Sequence, residues 1–551
     1  MSRLKIIPLL TWSSYYPDRP LPEKPFQYFK DFSLDNLVQT LLWVKNHLEL
    51  PDKHTDLVES LTNRMEESKK EYLRKLLMQC SISEPLVIDK ILVELFRFHT
   101  TKSSDRDLDE LGFEDAFLDL LLYFNDLQYE TNITSLNTST LESIWAMSLA
   151  QISTGFDNIN YARTAQIKHL IFLSFLRLHF GENHQAIEKS FASKTGLSSF
   201  HEMAFTLSRF YLTTETGEAR KLLLPNMPAK FCKVLEQLSL IVDYKDLPDP
   251  SFTIGKLAGL PYYKSYGKVH VINRNNFAFA LEKSWPYFLH QNSNLKDYIP
   301  GKGRFSDFQS ILGKNYVEDY FLNTILSSLS KSGFRWLRPT ETYMPDGCYI
   351  INESNVILFE IKSSSLHFNI IAEQSLEGLK TFFKDNFAAG KKGAPQLLNA
   401  IKHLSTSAKS TYDIKTPLKK LTIYPVIIYT DINLTMMGLN TYVDNHFRTI
   451  LGDEGKKYKQ IMPLTMVHAD FFTENLTMLT KNRSLLKDAL DHYIKYRRKK
   501  ANIYAKTKSA ADFLSGQYQF DRYIQGYKDL YFVPQIDIFR HLAKLFDLNS
   551  Q

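Results

Sequence analysis

Along roughly the first 245 residues, apolar positions recur at helical spacing. Leu34, Leu37, Val38, Leu41, Leu42 and Val44 follow Ser33, an N-cap residue type, and predict a helix. Leu57, Val58, Leu61 and Met65, then Leu73, Leu76 and Leu77, extend the pattern on a charged background. Ile88, Ile91, Leu92, Leu95 and Phe96 form a third stripe behind Pro85, a residue suited to a first helical turn. Further helices are expected over 107–129, 140–153, 163–181, 184–192, 198–213 and 228–241, and the Thr/Ser/Asn-rich stretch 131–140 is expected as a loop.

The pattern changes near Leu247-Pro248-Asp249-Pro250, beyond which strands mix with helices. Val269–Ile272 reads as a strand and Phe277–His290 as a helix. Gly301-Lys302-Gly303-Arg304 lacks the Gly-Lys-Ser/Thr ending of a phosphate loop and reads as a turn. A helix is then expected from Phe308 to Ser330. A strand from Phe334 should end near Pro345-Asp346, followed by strands at Cys348–Ile351 and Val356–Ser363, a helix at Gln396–Leu404 and a strand at Leu421–Tyr429. The order is α-β-β-β-α-β. Four segments result: an all-α region 1–245, a connecting α/β segment 246–304, an α/β core 305–475 and a basic helical region 476–551.

Composition narrows the class. At 44% hydrophobic and 23% charged, the chain is globular rather than disordered or coiled-coil. Cys80, Cys232 and Cys348 lie far apart and match no metal-ligand or redox spacing, so a reducing, cytoplasmic location is expected. No run is long enough to span a membrane, and the first apolar stretch is too short for a signal peptide. Charge is uneven. Residues 101–150 carry 2 basic and 10 acidic side chains, whereas 301–551 carry 34 basic and 24 acidic ones. The second half therefore suits a polyanionic partner. The acidic segment, including Asp105, Asp107, Asp109, Glu110, Glu114 and Asp115, could dock on Lys391 and Lys392 as a cover.

The chemistry concentrates in Val356-Ile357-Leu358-Phe359-Glu360-Ile361-Lys362. With a period of two, Ile357, Phe359 and Ile361 face one side, and Val356, Leu358, Glu360 and Lys362 the other. Both faces begin apolar, as in a buried central strand. A carboxylate and an ammonium on such a strand must be paired, bound to metal or sited at an opening. A hairpin would bring Asp346 beside Glu360. Asp346 and Glu360 could hold Mg²⁺, with Mn²⁺ as substitute and the Ile361 carbonyl as a further ligand. Lys362 could orient or deprotonate an attacking water and offset charge on a phosphorus centre. Glu318, on the preceding helix, can reach the same opening.

These residues resemble the PD-(D/E)XK nuclease superfamily, with its restriction-endonuclease-like core. The match is Pro345-Asp346, 13 intervening residues, then Glu360-Ile361-Lys362, preceded by a helix carrying Phe308, Gly313 and Glu318 and followed by one carrying Gln396. It covers about residues 305–475. The resemblance implies an α/β nuclease core, a mixed sheet flanked by helices, behind a large all-α N-terminal region and before a helical C-terminal tail. It implies Glu318, Asp346, Glu360 and Lys362 as the catalytic set, with Gln396 accessory and Glu318 a further metal ligand. It also implies metal-dependent cleavage of DNA, as in restriction or phage-defence effectors. RNA cleavage by the same chemistry and a non-catalytic nucleic-acid-binding scaffold are the alternatives.

Plainer readings stand beside these. Glu360 and Lys362 could be a structural ion pair, Asp346 a turn residue, Glu318 a solvated helix residue and Gln396 a helix-start residue. Lys391, Lys392 and Lys402 flank the Gln396 helix and could touch phosphates. Arg497, Arg498, Lys499 and Lys500 are interleaved with Tyr493, Tyr496 and Tyr504, which suits a nucleic-acid track or a solvated face. The helical N-terminal half offers no ligand set and is expected to bind a protein partner or form a homo-oligomer.

Overall fold

Helix α1 (Leu34–Leu48) starts where its cap requires: the Ser33 hydroxyl accepts the Asn36 N–H at 3.2 Å. The computed structural model describes residues 9–23, 32–48, 54–78, 80–99, 113–133, 140–152, 159–203, 223–224, 235–236, 241–258, 260–266, 268–272, 282, 284–338, 341, 343–373, 375–525 and 535–548. The expected helices at 198–213 and 228–241 fall mainly outside these residues, and Ile241 opens a strand instead. Asp105, Asp107, Asp109, Glu110 and Cys232 also lie outside.

Helices α2 (Pro85–Phe98) and α3 (Phe113–Ile133) pack with α1 around Leu37, Leu41, Ile88, Leu92, Phe117 and Leu121. Phe252, Tyr263 and Ile272 join this core. A small sheet borders it, in the order β1 (Leu223–Leu224), β4 (Lys268–Val271), β3 (Tyr262–Ser265), β2 (Ile241–Asp243). The expected all-α region is therefore split by packing. Its later helices, α4 (Leu141–Ile152) and α5 (Ile159–Phe180), leave this layer and join the second half of the chain. Trp145 of α4 meets Phe383 edge-on at 5.1 Å between ring centres, and Ile171 of α5 is buried with Phe321 and Ile325.

The second half is built on a mixed sheet in the order β10 (Thr465–His468), β8 (Thr422–Tyr429), β7 (Asn355–Lys362), β6 (Gly347–Ile351), β5 (Phe334–Leu337), with β9 (Gln460–Ile461) paired to β8. Strands β10, β8 and β7 run parallel, while β6 and β5 are antiparallel to their neighbours. Helix α6 begins at Phe305–Ile311, continues as a π-helix over Leu312–Leu322 and returns to α-geometry at Asn323–Ser327. Helices α7 (Leu376–Phe383), α8 (Ala394–Ser407) and α9 (Leu439–Leu451) cover the face that carries Val356 and Leu358. Helices α6, α10 (Asp470–Lys481) and α11 (Leu485–Thr507) cover the face of Ile357, Phe359 and Ile361. The alternation in β7 thus sorts its side chains between two apolar layers, as its period of two predicts.

Two expectations change. Strand β5 stops at Leu337, so Asp346 does not end it; Asp346 precedes β6 instead. Helix α11 is not part of a detached tail, because Leu485, Leu486, Leu490 and Ile494 are buried against the sheet.

Candidate active site

The β6–β7 turn fixes the site's register. Asn352 and Glu353 take φ values of 49° and 56°, a left-handed geometry that a short polar residue such as Asn tolerates better than most. Gly347 then pairs with Phe359, which brings Asp346 abreast of Glu360. Gly347 is required there: a Cβ would sit 1.9 Å from Cη2 of Trp336, whose ring covers it. Asp346 Oδ2 accepts the Ile361 N–H at 2.7 Å, locking the carboxylate to the end of β7. The Ile361 N–H is thereby tied to the site.

Glu360 and Lys362 are 3% and 9% exposed, nearly buried at the carboxyl end of β7. Lys362 Nζ donates to Glu360 Oε1 at 2.6 Å and to Gln396 Oε1 at 2.8 Å. The same Gln396 oxygen accepts the Gly393 N–H at 2.9 Å, so Gln396 caps α8 and orients Lys362 at once. Gly393, at φ 66°, permits that approach, since a Cβ would lie 2.4 Å from the Phe387 carbonyl oxygen. Gln396 is thus a helix-start residue whose side chain also reaches Lys362.

Glu318 comes from the π-helical stretch and accepts from Lys314 Nζ at 2.6 Å. Lys314 was not among the residues expected at the site; its only signal in the chain is its place as the i−4 partner of Glu318. Burial, then the charges of Asp346 and Glu318, push the Glu360 carboxyl up to about 8, against the pull of Lys362. Burial and Asp346 also raise Glu318. Burial lowers Lys314, but Glu318 and Asp346 more than offset it and leave that ammonium raised. Three carboxylates and two ammoniums thus lie within electrostatic reach of one another, and Glu360 carries the imbalance.

That imbalance fits a cation. Asp346 and Glu360 each keep one oxygen outside the contacts just described, and Mg²⁺ needs only one or two carboxylates besides water and phosphate. Among the described residues, no three His, Cys, Asp or Glu side chains form a ready-made metal cage. Glu318 pairs with Lys314.

The cationic residues divide. Lys391 and Lys392 are exposed in the loop leading to α8, within five residues of Gln396, and Lys402 is exposed on α8. Arg498 and Lys499 are exposed on α11, while Lys500 is half-buried over the Tyr496 ring. Arg497 departs from the expectation of a nucleic-acid contact. It turns inward, 3.6 Å from Asp444 Oδ2, and donates to Thr441 Oγ1 at 2.9 Å. Both partners lie on α9, and Asp444 also accepts the Leu464 N–H just before β10, which sets Arg497 near that strand. Glu114 and Asp115 bind Arg64 at 3.2 Å and Lys69 at 2.9 Å within the first layer, so neither docks on Lys391 or Lys392 as a cover. In the Gly301–Arg304 turn, the Lys302 and Arg304 N–H groups both donate to Asp307 Oδ2 at 3.1 Å, which occupies the donors a phosphate would use.

Compared with known proteins, the chain matches no family model, no curated protein and no solved structure. Among the described residues, no helix is long and apolar enough to cross a membrane.

Proposed function

We propose that this chain is a metal-dependent nuclease of the PD-(D/E)XK type, hydrolysing phosphodiester bonds of DNA in the cytoplasm. The observation that carries the reading is Asp346 abreast of Glu360, with Lys362 held between Glu360 and Gln396 at the end of a buried strand. A merely structural Glu360–Lys362 pair has no use for a second carboxylate beside it, where Asp346 adds to the burial that pushes Glu360 up to about 8.

A bound Mg²⁺ or Mn²⁺ would supply Lewis-acid stabilisation of the phosphate and acidify an attacking water. Asp346 and Glu360 would hold the cation; the Ile361 N–H fixes the Asp346 carboxylate in place. Lys362, aimed by Gln396, is set to take the water's proton or to donate to a phosphate oxygen as charge develops there. Glu318, anchored by Lys314, adds negative potential on the helix side of the site. Lys391, Lys392 and Lys402 lie where a nucleic-acid backbone entering beside α8 would pass, and the positive second half of the chain favours a polyanion. Restriction or phage defence is the setting such an activity suits.

The deciding experiment is incubation of purified protein with plasmid, single-stranded DNA and RNA, each with Mg²⁺, Mn²⁺ or chelator. Cleavage of DNA with metal alone supports the proposal. Cleavage of RNA alone moves the substrate class. No cleavage of any of them, with nucleic acid still bound, returns the chain to a binding scaffold.

A further inference from the structure

Glu318 is carried by eleven residues of π-helix, Leu312–Leu322. Such stretches are rare and less well bonded than an α-helix, and they persist where surrounding structure holds them. Two tyrosines flank Glu318 at equal spacing. Tyr316 OH donates to the Lys168 carbonyl at 2.9 Å, and Tyr320 OH reaches Ser174 Oγ at 3.1 Å. Both acceptors belong to α5, from the first half of the chain. The rings of Phe172 and Phe175 pack on the same two tyrosines, with Phe172–Tyr316 and Phe175–Tyr316 centroids both 5.2 Å apart and Phe175–Tyr320 5.7 Å apart.

Helix α5 is itself pinned to the core. Lys168 is buried and pairs with Glu282 and, at 2.7 Å, with Asp470 at the start of α10. Thr164 donates to the other Asp470 oxygen at 2.8 Å. Breaking a buried pair of this kind by removing one partner is costly, so α5 is fixed in place beside α10. The wide helix is therefore held from two sides, by α5 and by the end of β7, where Gly313 meets Ser363.

We propose that α5 is a positioning element of the nuclease centre, acting through Tyr316 and Tyr320 to hold the π-helix so that Lys314 and Glu318 face Asp346. The inference rests on the nuclease reading for its consequence in catalysis. It also gives part of the N-terminal half a role in the site itself, where the sequence suggested partner binding, oligomerisation or cover. Neither tyrosine touches substrate or metal; each acts through the backbone that carries Glu318.

The test uses the full chain with Tyr316→Phe, Tyr320→Phe and the double variant, which keep the rings and remove only the hydroxyls. Exposed Tyr72, in the first layer, changed to Phe serves as control. Amide hydrogen exchange should quicken over 312–322 in the double variant and stay unchanged over β6 and β7. With DNA, kcat should fall about tenfold, with KM unchanged and half-saturation by Mg²⁺ shifted upward, the pattern of a displaced group in a site whose substrate affinity is intact. Tyr72→Phe should do neither. Unchanged exchange over 312–322 overturns the positioning role. So does quickened exchange with wild-type kcat and Mg²⁺ dependence. If the wild-type chain cuts no nucleic acid, the nuclease reading fails by itself, and exchange still decides whether α5 holds the π-helix.

Discussion

Gly313 of the π-helix lies against Ser363, the residue after β7: a Cβ on Gly313 would stand 2.8 Å from the Ser363 hydroxyl. The closeness sets how near Glu318 comes to the end of the strand that carries Glu360 and Lys362. It also explains why glycine occupies a helical position at ordinary φ, where its conformational freedom is a cost. Adding a methyl there should push α6 outward by a fraction of an ångström. Gly313→Ala should cut DNA about tenfold more slowly with little change in melting temperature. Ser363→Ala alone should be near neutral, and the double variant should recover most of the rate, because the clash is then relieved. A rate in the double variant no better than that of Gly313→Ala would remove Ser363 from the account.

Changes at the strand end should separate chemistry from folding. Asp346→Asn and Lys362→Met should lower kcat by about 10²–10⁴ while the proteins remain folded by circular dichroism, since on the proposed function each removes a group used in the transition state. Gln396→Ala should have a milder effect on both properties: about 1 kcal/mol of stability from removal of the cap at Gly393, and a partial fall in rate as Lys362 is no longer guided. A Lys362→Met protein with full activity would sink the assignment.

The raised Glu360 carboxyl predicts a pH dependence of the metal-free protein. Its folded value of about 8 lies above the ordinary glutamate range, so between roughly pH 4.5 and 8 the folded state holds a proton that the unfolded state has released. The stabilisation is fully present below the unfolded value and is lost as pH rises through the folded one. Melting temperature without metal should fall across that window from this group, and Glu360→Gln should flatten the fall. Mg²⁺ binding should release a proton and tighten with rising pH. Calorimetry in buffers of different ionisation enthalpy measures that release.

Arg497 and its neighbours should behave differently. Arg497→Ala strips a partner from buried Asp444 and should cost roughly 1–3 kcal/mol of stability. Arg498→Ala with Lys499→Ala should leave the melting temperature unchanged. If that face contacts phosphates, the pair should flatten the slope of log affinity against log salt by about 0.9 for each phosphate no longer neutralised. An unchanged slope makes the run a solvated face and leaves Lys391, Lys392 and Lys402 as the electrostatic footprint.

Local elements and the chemistry of one strand follow from the order of residues alone. Ser33 and Pro85 mark helix starts because capping and fixed φ are short-range effects. The alternation of β7 assigns its faces because side-chain direction in a strand depends only on position. Asp346, Glu360 and Lys362 stand out because charge on or beside an apolar strand needs an explanation. The remainder depends on neighbours far apart in the chain, which only folding brings together. Arg497 looks like its exposed neighbours until Asp444 and Thr441, on another helix, turn it inward. The π-helical geometry of 312–322 has no periodic signature of its own; it is held by Tyr316 and Tyr320 on α5 and by Gly313 against Ser363. The seating of α4 and α5 on the second half is hidden for the same reason, since an apolar stripe says that a face will be buried and not by what.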